Sequence, residues 1–257
     1  MTNPEKAQEL LRLHTDPELL VVVNVWDVIS ATVVADLPGT KALATASHSI
    51  AASLGYPDGE KIGVDEMIEA CRRIAAATEL PVSADLEAGY GDPGETTRKA
   101  IDAGIVGANI EDQMKPLAEA VSAVRAVVDA AESAGVPFVL NARTDAFLKA
   151  GDRDPADVLA DAIERGKAFL DAGAACVFVP GKLDLPTLEA LVAGIGERRI
   201  STIGVPGTPA PADQAAVGVA RISYGPWTQR VALTALADTA AALMAGGALP
   251  EGTRPLN

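Results

Sequence analysis

Aromatic side chains are scarce in this chain, with four Phe, three Tyr and two Trp among 257 residues. Apolar residues still make up 49% of it, so a core must be filled by Ala, Val, Leu and Ile. That palette suits parallel strands covered by helices on both faces. Cysteine is limited to Cys71 and Cys176, in neither a metal-type nor a redox-type spacing, which excludes a disulfide framework. Both are expected to be small buried hydrophobes. Positive charge is also short. The 21 Lys and Arg face 35 Asp and Glu, a net charge of −14, which argues against nucleic acid or an anionic membrane as partner. An anionic small molecule is compatible only where a local cation or Arg overrides that field. No apolar run reaches membrane-spanning length, and Met1-Thr2-Asn3-Pro4-Glu5 lacks the apolar segment of a signal peptide. A cytoplasmic setting is the expectation.

What is present is a regular alternation of strand-like and helix-like segments. The predicted strands cover 19–25, 42–47, 81–87, 107–111, 138–143, 176–179, 200–205 and 221–224. The predicted helices cover 27–37, 64–78, 92–104, 117–134, 155–172, 185–195, 212–220 and 226–245. Val64, Met67, Ile68, Cys71, Ile74 and Ala75 form one stripe at helical spacing, and Asp92-Pro93-Gly94-Glu95 reads as a capping box with Pro at the first helical position. Eight β/α units in this length match a (β/α)₈ TIM barrel. A doubly wound open sheet is the rival, but no Gly-rich phosphate fingerprint follows the first strand. No linker is evident, so residues 1–257 are expected to form one domain.

Three acidic clusters fall at consecutive strand ends: Asp85 and Glu87, Glu111 and Asp112, and Asp145 beside Arg143. Charges that converge at strand ends are costly unless they hold something. In a barrel these ends form the active-site face, and the third, fourth and fifth strands are neighbours. Two residues apart on one strand, Asp85 and Glu87 are expected to point to the same side. Carboxylates without nearby Cys or His favour Mg²⁺, or Mn²⁺, over zinc. Asp85 is the predicted direct ligand, with Glu87 and Glu111 acting through water. The bland reading of the cluster is a salt bridge or helix caps.

Arg143 is either a structural partner of Glu111 or a clamp for a substrate carboxylate. His48, after the second strand, is either a hydrogen-bonded structural residue or a proton carrier. His14 is expected on the surface of an N-terminal helix. Gly204-Val205-Pro206-Gly207 reads as a turn, with phosphate binding as the alternative.

Four ordered motifs then carry a resemblance: Ser-Ile-Ala-Ala-Ser-Leu-Gly-Tyr-Pro-Asp at 49–58, Ala-Asp-Leu-Glu-Ala-Gly-Tyr-Gly at 84–91, Gly-Ala-Asn-Ile-Glu-Asp at 107–112 and Asn-Ala-Arg-Thr-Asp-Ala at 141–146. Together they resemble the isocitrate lyase/phosphoenolpyruvate mutase superfamily. The resemblance implies a TIM barrel using Mg²⁺ on a 2-oxo or related acid, with bonds broken through an enolate. It assigns the metal to Asp85, Glu87, Glu111 and, less directly, Asp58, and the substrate to Arg143 and the amides of Ala46 and Ser47. It also implies a homo-oligomer, dimer or tetramer, with the last helix exchanged between subunits. The lyases' Cys-bearing loop after the fourth strand is reduced here to Gln113-Met114-Lys115-Pro116-Leu117, and the mutase's longer gating loop is missing.

A site without that loop favours a reaction needing no dedicated acid at the departing group. The expectation is a Mg²⁺-dependent lyase for a small 2-oxo or 2-hydroxy dicarboxylic acid, decarboxylating oxaloacetate or cleaving a substituted malate, with Asp58 or His48 assisting proton movement. The alternatives are a phosphonate enzyme of the phosphoenolpyruvate or carboxyphosphonoenolpyruvate mutase type, and a metabolite-binding protein without catalysis.

Overall fold

The computed structural model describes residues 1–256. Its sheet closes through a single broken strand. β1 (Leu20–Val21) pairs with β9 (Arg221–Ser223), and β2 (Val23–Val25), one residue later, pairs with β3 (Leu43–Thr45). Between them run β4 (Val82–Asp85), β5 (Gly107–Glu111), β6 (Val139–Arg143), β7 (Cys176–Phe178) and β8 (Ile200–Ile203). All neighbours are parallel. The nine segments are therefore eight strands, and the closure excludes the open sheet. Val22 is the pivot: its amide still donates to Ile222 O at 3.0 Å before the chain turns to face β3.

The helices cover the outside: α2 (Val28–Ala35), α4 (Val64–Ala76), α5 (Pro93–Asp102), α6 (Leu117–Ser133), α7 (Pro155–Asp171), α8 (Leu185–Ile195) and α9 (Pro211–Ala216). On α4 the predicted stripe is the buried one, with Val64 at its partly buried end. Cys71 and Cys176 are fully buried, and burial pushes both thiols up to about 12. The face of α7 lies one residue from its prediction. Val158, Ala162 and Phe169 are buried, while Leu159, Ile163 and Leu170 are only partly covered. At α5 only half the capping box forms. The Asp92 side chain accepts from Glu95 N at 2.9 Å, whereas the Glu95 carboxylate turns to Arg98.

Three elements differ more substantially. Ser47, predicted as the end of the second strand, and residues 48–53, unassigned from sequence, form α3 (Ser47–Ser53) directly after β3. The predicted 212–220 helix is the shorter α9. The N-terminal α1 (Asn3–Thr15) packs across the start of the sheet, burying Ala7, Leu10 and Leu13 with Val106 and Val139. His14 is buried with them rather than exposed. Its Nδ1 donates to Leu10 O at 2.8 Å, and burial, reinforced by nearby Arg221, lowers its pKa to about 3.

The last helix, α10 (Trp227–Met244), is the opposite case. Gln229 is its only buried residue, and Val231, Leu233, Leu236 and Met244 are 54–90% exposed. No described helix is long and apolar enough to cross a membrane.

Close packing under the sheet gives a direct test. A Cβ on Gly107 would lie 2.7 Å from Val139 O and 2.8 Å from Leu10 Cδ2. Neither a strand backbone nor a buried α1 side chain yields cheaply, so Gly107→Ala is expected to destabilise by roughly 1–3 kcal/mol. Urea unfolding measures this, and a variant as stable as the parent would show that α1 does not press on β5.

Candidate active site

The strand ends enclose a cavity of about 780 Å³ lined by Asn24, Ser47, His48, Asp58, Asp85, Glu87, Asn109, Glu111, Arg143 and Asp145. This is the size of a small-molecule site. Of the candidate residues, Ala46 and Asp112 do not line it; Ala46 is buried as the residue preceding α3.

Each wall has an identifiable cause. Asp85 ends β4, where its amide is fixed by Thr45 Oγ1 at 3.0 Å. Its carboxylate accepts from Ser47 Oγ at 2.8 Å and Ser47 N at 3.2 Å. The Ser47 amide, expected to grip substrate, is thus turned onto Asp85. Glu87 does not follow Asp85 along an extended strand, as strand alternation predicted. It lies past the end of β4 with φ +55°, a left-handed conformation uncommon for a side-chain-bearing residue. Its carbonyl accepts from Glu111 N at 2.8 Å, and this bond to the neighbouring strand end holds the turn. Tyr90, also left-handed, donates its amide to Glu60 Oε1 at 2.7 Å.

On the next wall Glu111 and Arg143 are register partners on β5 and β6, and their side chains meet at 2.8 Å. The Arg143 Nε also donates to Asp145 Oδ1 at 2.8 Å, and Lys149 lies 3.6 Å from the other Asp145 oxygen. Burial works against the Arg143 guanidinium, but Glu111, Asp145 and Asp85 outweigh it and raise its pKa. Both readings of Arg143 therefore have a basis, since it is a structural partner of Glu111 that also faces the cavity. Asp112 leaves the site. It accepts from the amides of Met114 and Asp145 and pairs with Arg165 at 3.1 Å. These bonds, with Lys149 and Arg165 donating to Gln113 O and Lys115 O, pin the shortened loop after β5. His48 and Asp58 face each other at 3.3 Å near the rim, both substantially exposed.

Glu87 is the least satisfied group in the cavity. It is 5% exposed, and its Oε1 has no hydrogen-bond partner. Burial, then Asp85, Asp58 and Glu111, push its pKa up to about 8. Burial likewise raises Glu111, to about 7, despite Arg143. Crowded carboxylates with an orphaned oxygen are the complement of a hard cation. Among the described residues no three acidic, His or Cys groups form a ready coordination sphere. The donor set thus fits an ion such as Mg²⁺, which keeps most of its waters, better than one that needs a full protein cage.

Residues that sequence reasoning missed complete the rim. Asn24 Oδ1 accepts from Tyr224 N at 2.6 Å and Gly225 N at 2.8 Å, fastening the chain after β9. Trp227, Arg230 and Lys182 also line the cavity. Asn24, between two valines in the first strand, was a polar interruption and the one legible signal. The others read as ordinary loop and helix-start residues.

Crowding makes the apo protein sensitive to pH. An unfolded Glu87 titrates near 4.5 and the folded one near 8, so folding takes up a proton between those values. The cost of the ionised group is full above pH 8, fades as pH falls toward 4.5 and is absent below. Glu87→Gln is therefore expected to be more stable than the parent at pH 8, with the difference shrinking steadily toward pH 5 and gone below about pH 4. Denaturant midpoints across that range check this, and a constant difference would mean that Glu87 is not forced to ionise in a crowded site.

Comparison with known proteins agrees with this geometry. The phosphoenolpyruvate phosphomutase family profile matches residues 10–244. An uncharacterised protein of Mycobacterium tuberculosis is 33% identical over 93% of this chain and 90% of its own length. An oxaloacetate decarboxylase of Rhodopseudomonas palustris is 32% identical over 66% of this chain, which spans 61% of that enzyme. Among solved structures, a Burkholderia cenocepacia protein described as a candidate phosphonomutase superposes with a TM-score of 0.87 at 39% identity, covering 95% of this chain and 100% of that one. Oxaloacetate acetylhydrolase with its product oxalate superposes at 0.86 and 27% identity, covering 98% and 91%. Barrel, acidic strand ends and profile converge: the chain belongs to the phosphoenolpyruvate phosphomutase family, within the isocitrate lyase/phosphoenolpyruvate mutase superfamily of lyases and mutases.

Proposed function

We propose that this protein is a Mg²⁺-dependent lyase that decarboxylates or cleaves a small 2-oxo or 2-hydroxy dicarboxylic acid. The observation that carries the reading is the crowded, incompletely compensated acidic wall of Asp85, Glu87 and Glu111, with one Glu87 oxygen unpartnered, facing a cavity that also holds Arg143. Asp85 would hold the cation, and Glu87 and Glu111 would orient its waters. Bound there, the cation would supply Lewis acidity toward a 2-oxo group and its carboxylate, favouring enolate formation.

The remaining work falls to side chains. Arg143 spends Nε and one terminal nitrogen on Asp145 and Glu111, and its other terminal nitrogen makes no hydrogen bond within the described residues. That donor is available to a substrate oxygen, and the two carboxylates fix its direction. Ser47 would release its amide from Asp85 when the carboxylate turns to the cation, freeing a donor for the substrate. The exposed His48–Asp58 pair stands where a proton could enter from solvent. The pinned loop after β5 brings no acid to the departing group. This supports decarboxylation, in which carbon dioxide leaves unprotonated and water at the mouth can protonate the remaining carbon.

The second reading is a phosphonate mutase or lyase, favoured by the family profile and by the 39% identity to the Burkholderia cenocepacia protein. For assembly, we propose a homo-oligomer that seats α10 on a neighbouring subunit, because its leucines lie on an exposed face.

With Mg²⁺ and oxaloacetate, pyruvate formation above the metal-only rate is expected, and Asp85→Ala should reduce it by at least ~10²-fold. Absence of metal-dependent turnover across small diacids would remove the lyase reading, and phosphorus NMR with phosphonopyruvate would identify the mutase. Sedimentation equilibrium should show dimers or larger species, and a monomer at micromolar concentration would rule out the exchanged helix.

A further inference from the structure

The cavity is electrically divided. Its acidic side chains come from β4, β5, β6 and the loop carrying Asp58. Among the other lining residues are Lys182, in the turn between β7 and α8, and Arg230, in the first turns of α10. With the first strand counted once, β4 is third and β8 seventh of eight, so they stand across the barrel from each other. Lys182 reaches over the loop that follows β8. Its Cε and Nζ each lie 2.8 Å from where a Cβ on Gly207 would be. Gly207 has φ +88°, a conformation that favours glycine, and its missing Cβ leaves room for the ammonium.

Neither cation is neutralised. Among the described residues Lys182 and Arg230 make no salt bridge, in a chain of net charge −14 where carboxylates are abundant. The other basic residues of this cavity are engaged: Arg143 holds Glu111 and Asp145, and Lys149 lies beside Asp145. Arg230 is instead held by stacking, its guanidinium 4.8 Å from the centroid of the Trp227 ring. Two positioned, unpaired cations facing an acidic wall form a receptor for a molecule with different requirements at its two ends.

We propose that Lys182, assisted by Arg230, is the seat for a second anionic group on the substrate and makes the site selective for acids charged at both ends. This rests on the reading of the acidic wall as the cation-binding pole. One end of the substrate, a 2-oxo or 2-hydroxy carboxylate, is held at the Asp85 side. The other end, a carboxylate or phosphonate, meets the Lys182 ammonium. The shared chemistry is an anion on a short carbon chain. Gly207 takes part by leaving the ammonium room to lie over the loop.

The test is calorimetry on the full-length protein with Mg²⁺ and three probes. Oxalate is short and occupies only the cation pole, whereas 3,3-difluorooxaloacetate and phosphonopyruvate also carry a distal carboxylate or phosphonate. Lys182→Met keeps the stem over Gly207 and removes the charge. It is expected to weaken at least one of the two longer probes by roughly tenfold or more while leaving oxalate within about twofold. Lys182→Arg should retain most of that affinity. The probe that loses more identifies the distal group the site prefers. Unchanged affinity for both long probes would overturn the proposal, as would an equal loss for oxalate, which would reflect only the general field at the mouth. If oxalate fails to bind the parent protein with Mg²⁺, the cation pole itself is misread, a failure distinct from the Lys182 result. Lys182 is exposed, so the variant is expected to fold, and its unfolding midpoint verifies this.

Discussion

Like charge held close together is the constraint on which this molecule turns. Asp85, Glu87 and Glu111 come from adjacent strand ends, and the chain does not neutralise all of them. Arg143 answers Glu111, Ser47 answers Asp85, and Glu87 is left with an unpartnered oxygen. Burying such a group costs free energy that the rest of the fold must offset. The offset is visible in how tightly this segment is built. Glu87 takes a left-handed conformation that the Glu111 amide locks in place, and the following turn is tied to Glu60. Strain and uncompensated charge fall at the same residues, the combination expected where structure serves binding rather than stability.

Beneath the site the barrel is polar rather than aliphatic. Asn141 donates to Asn109 Oδ1 at 2.8 Å and Ser201 Oγ at 3.2 Å. The fully buried Arg221 donates to Ser83 Oγ at 3.1 Å. Ser83 lies two residues before Asp85 on β4, so this guanidinium sits under the acidic wall and supplies positive potential from below. The floor of the cavity is thus fixed by side-chain dipoles, and the walls are carried by loops anchored to it.

Most of the barrel was legible because its signals are local. An apolar run that ends in a charged residue marks both a strand and the face on which it terminates, and Asp85, Glu111 and Arg143 do end their strands at the cavity. The failures share a physical cause in contacts that join distant parts of the chain. Asn24 fastens residues two hundred positions away, and Lys182 matters because Gly207 leaves it space. His14 looked like a surface residue on a polar helix until that helix was laid across the barrel. Glu87 reaches the cavity by a turn rather than by strand alternation, so it faces the cavity for a reason the strand pattern did not contain. The exposed face of α10 is apolar, but periodicity does not say which molecule an apolar face will cover.

Asn24 also joins two parts of the molecule that look separate. Its Oδ1 holds the chain just before α10, and its carbonyl accepts from Thr228 Oγ1 at 2.7 Å within the first turn of that helix. Trp227 and Arg230, on the same turn, face the cavity. Whatever seats the exposed helix therefore bears on the rim as well. If the proposed oligomer seats α10 on a neighbouring subunit, ligand affinity would by mass action depend on protein concentration, and the free energies of subunit association and of ligand binding would be linked.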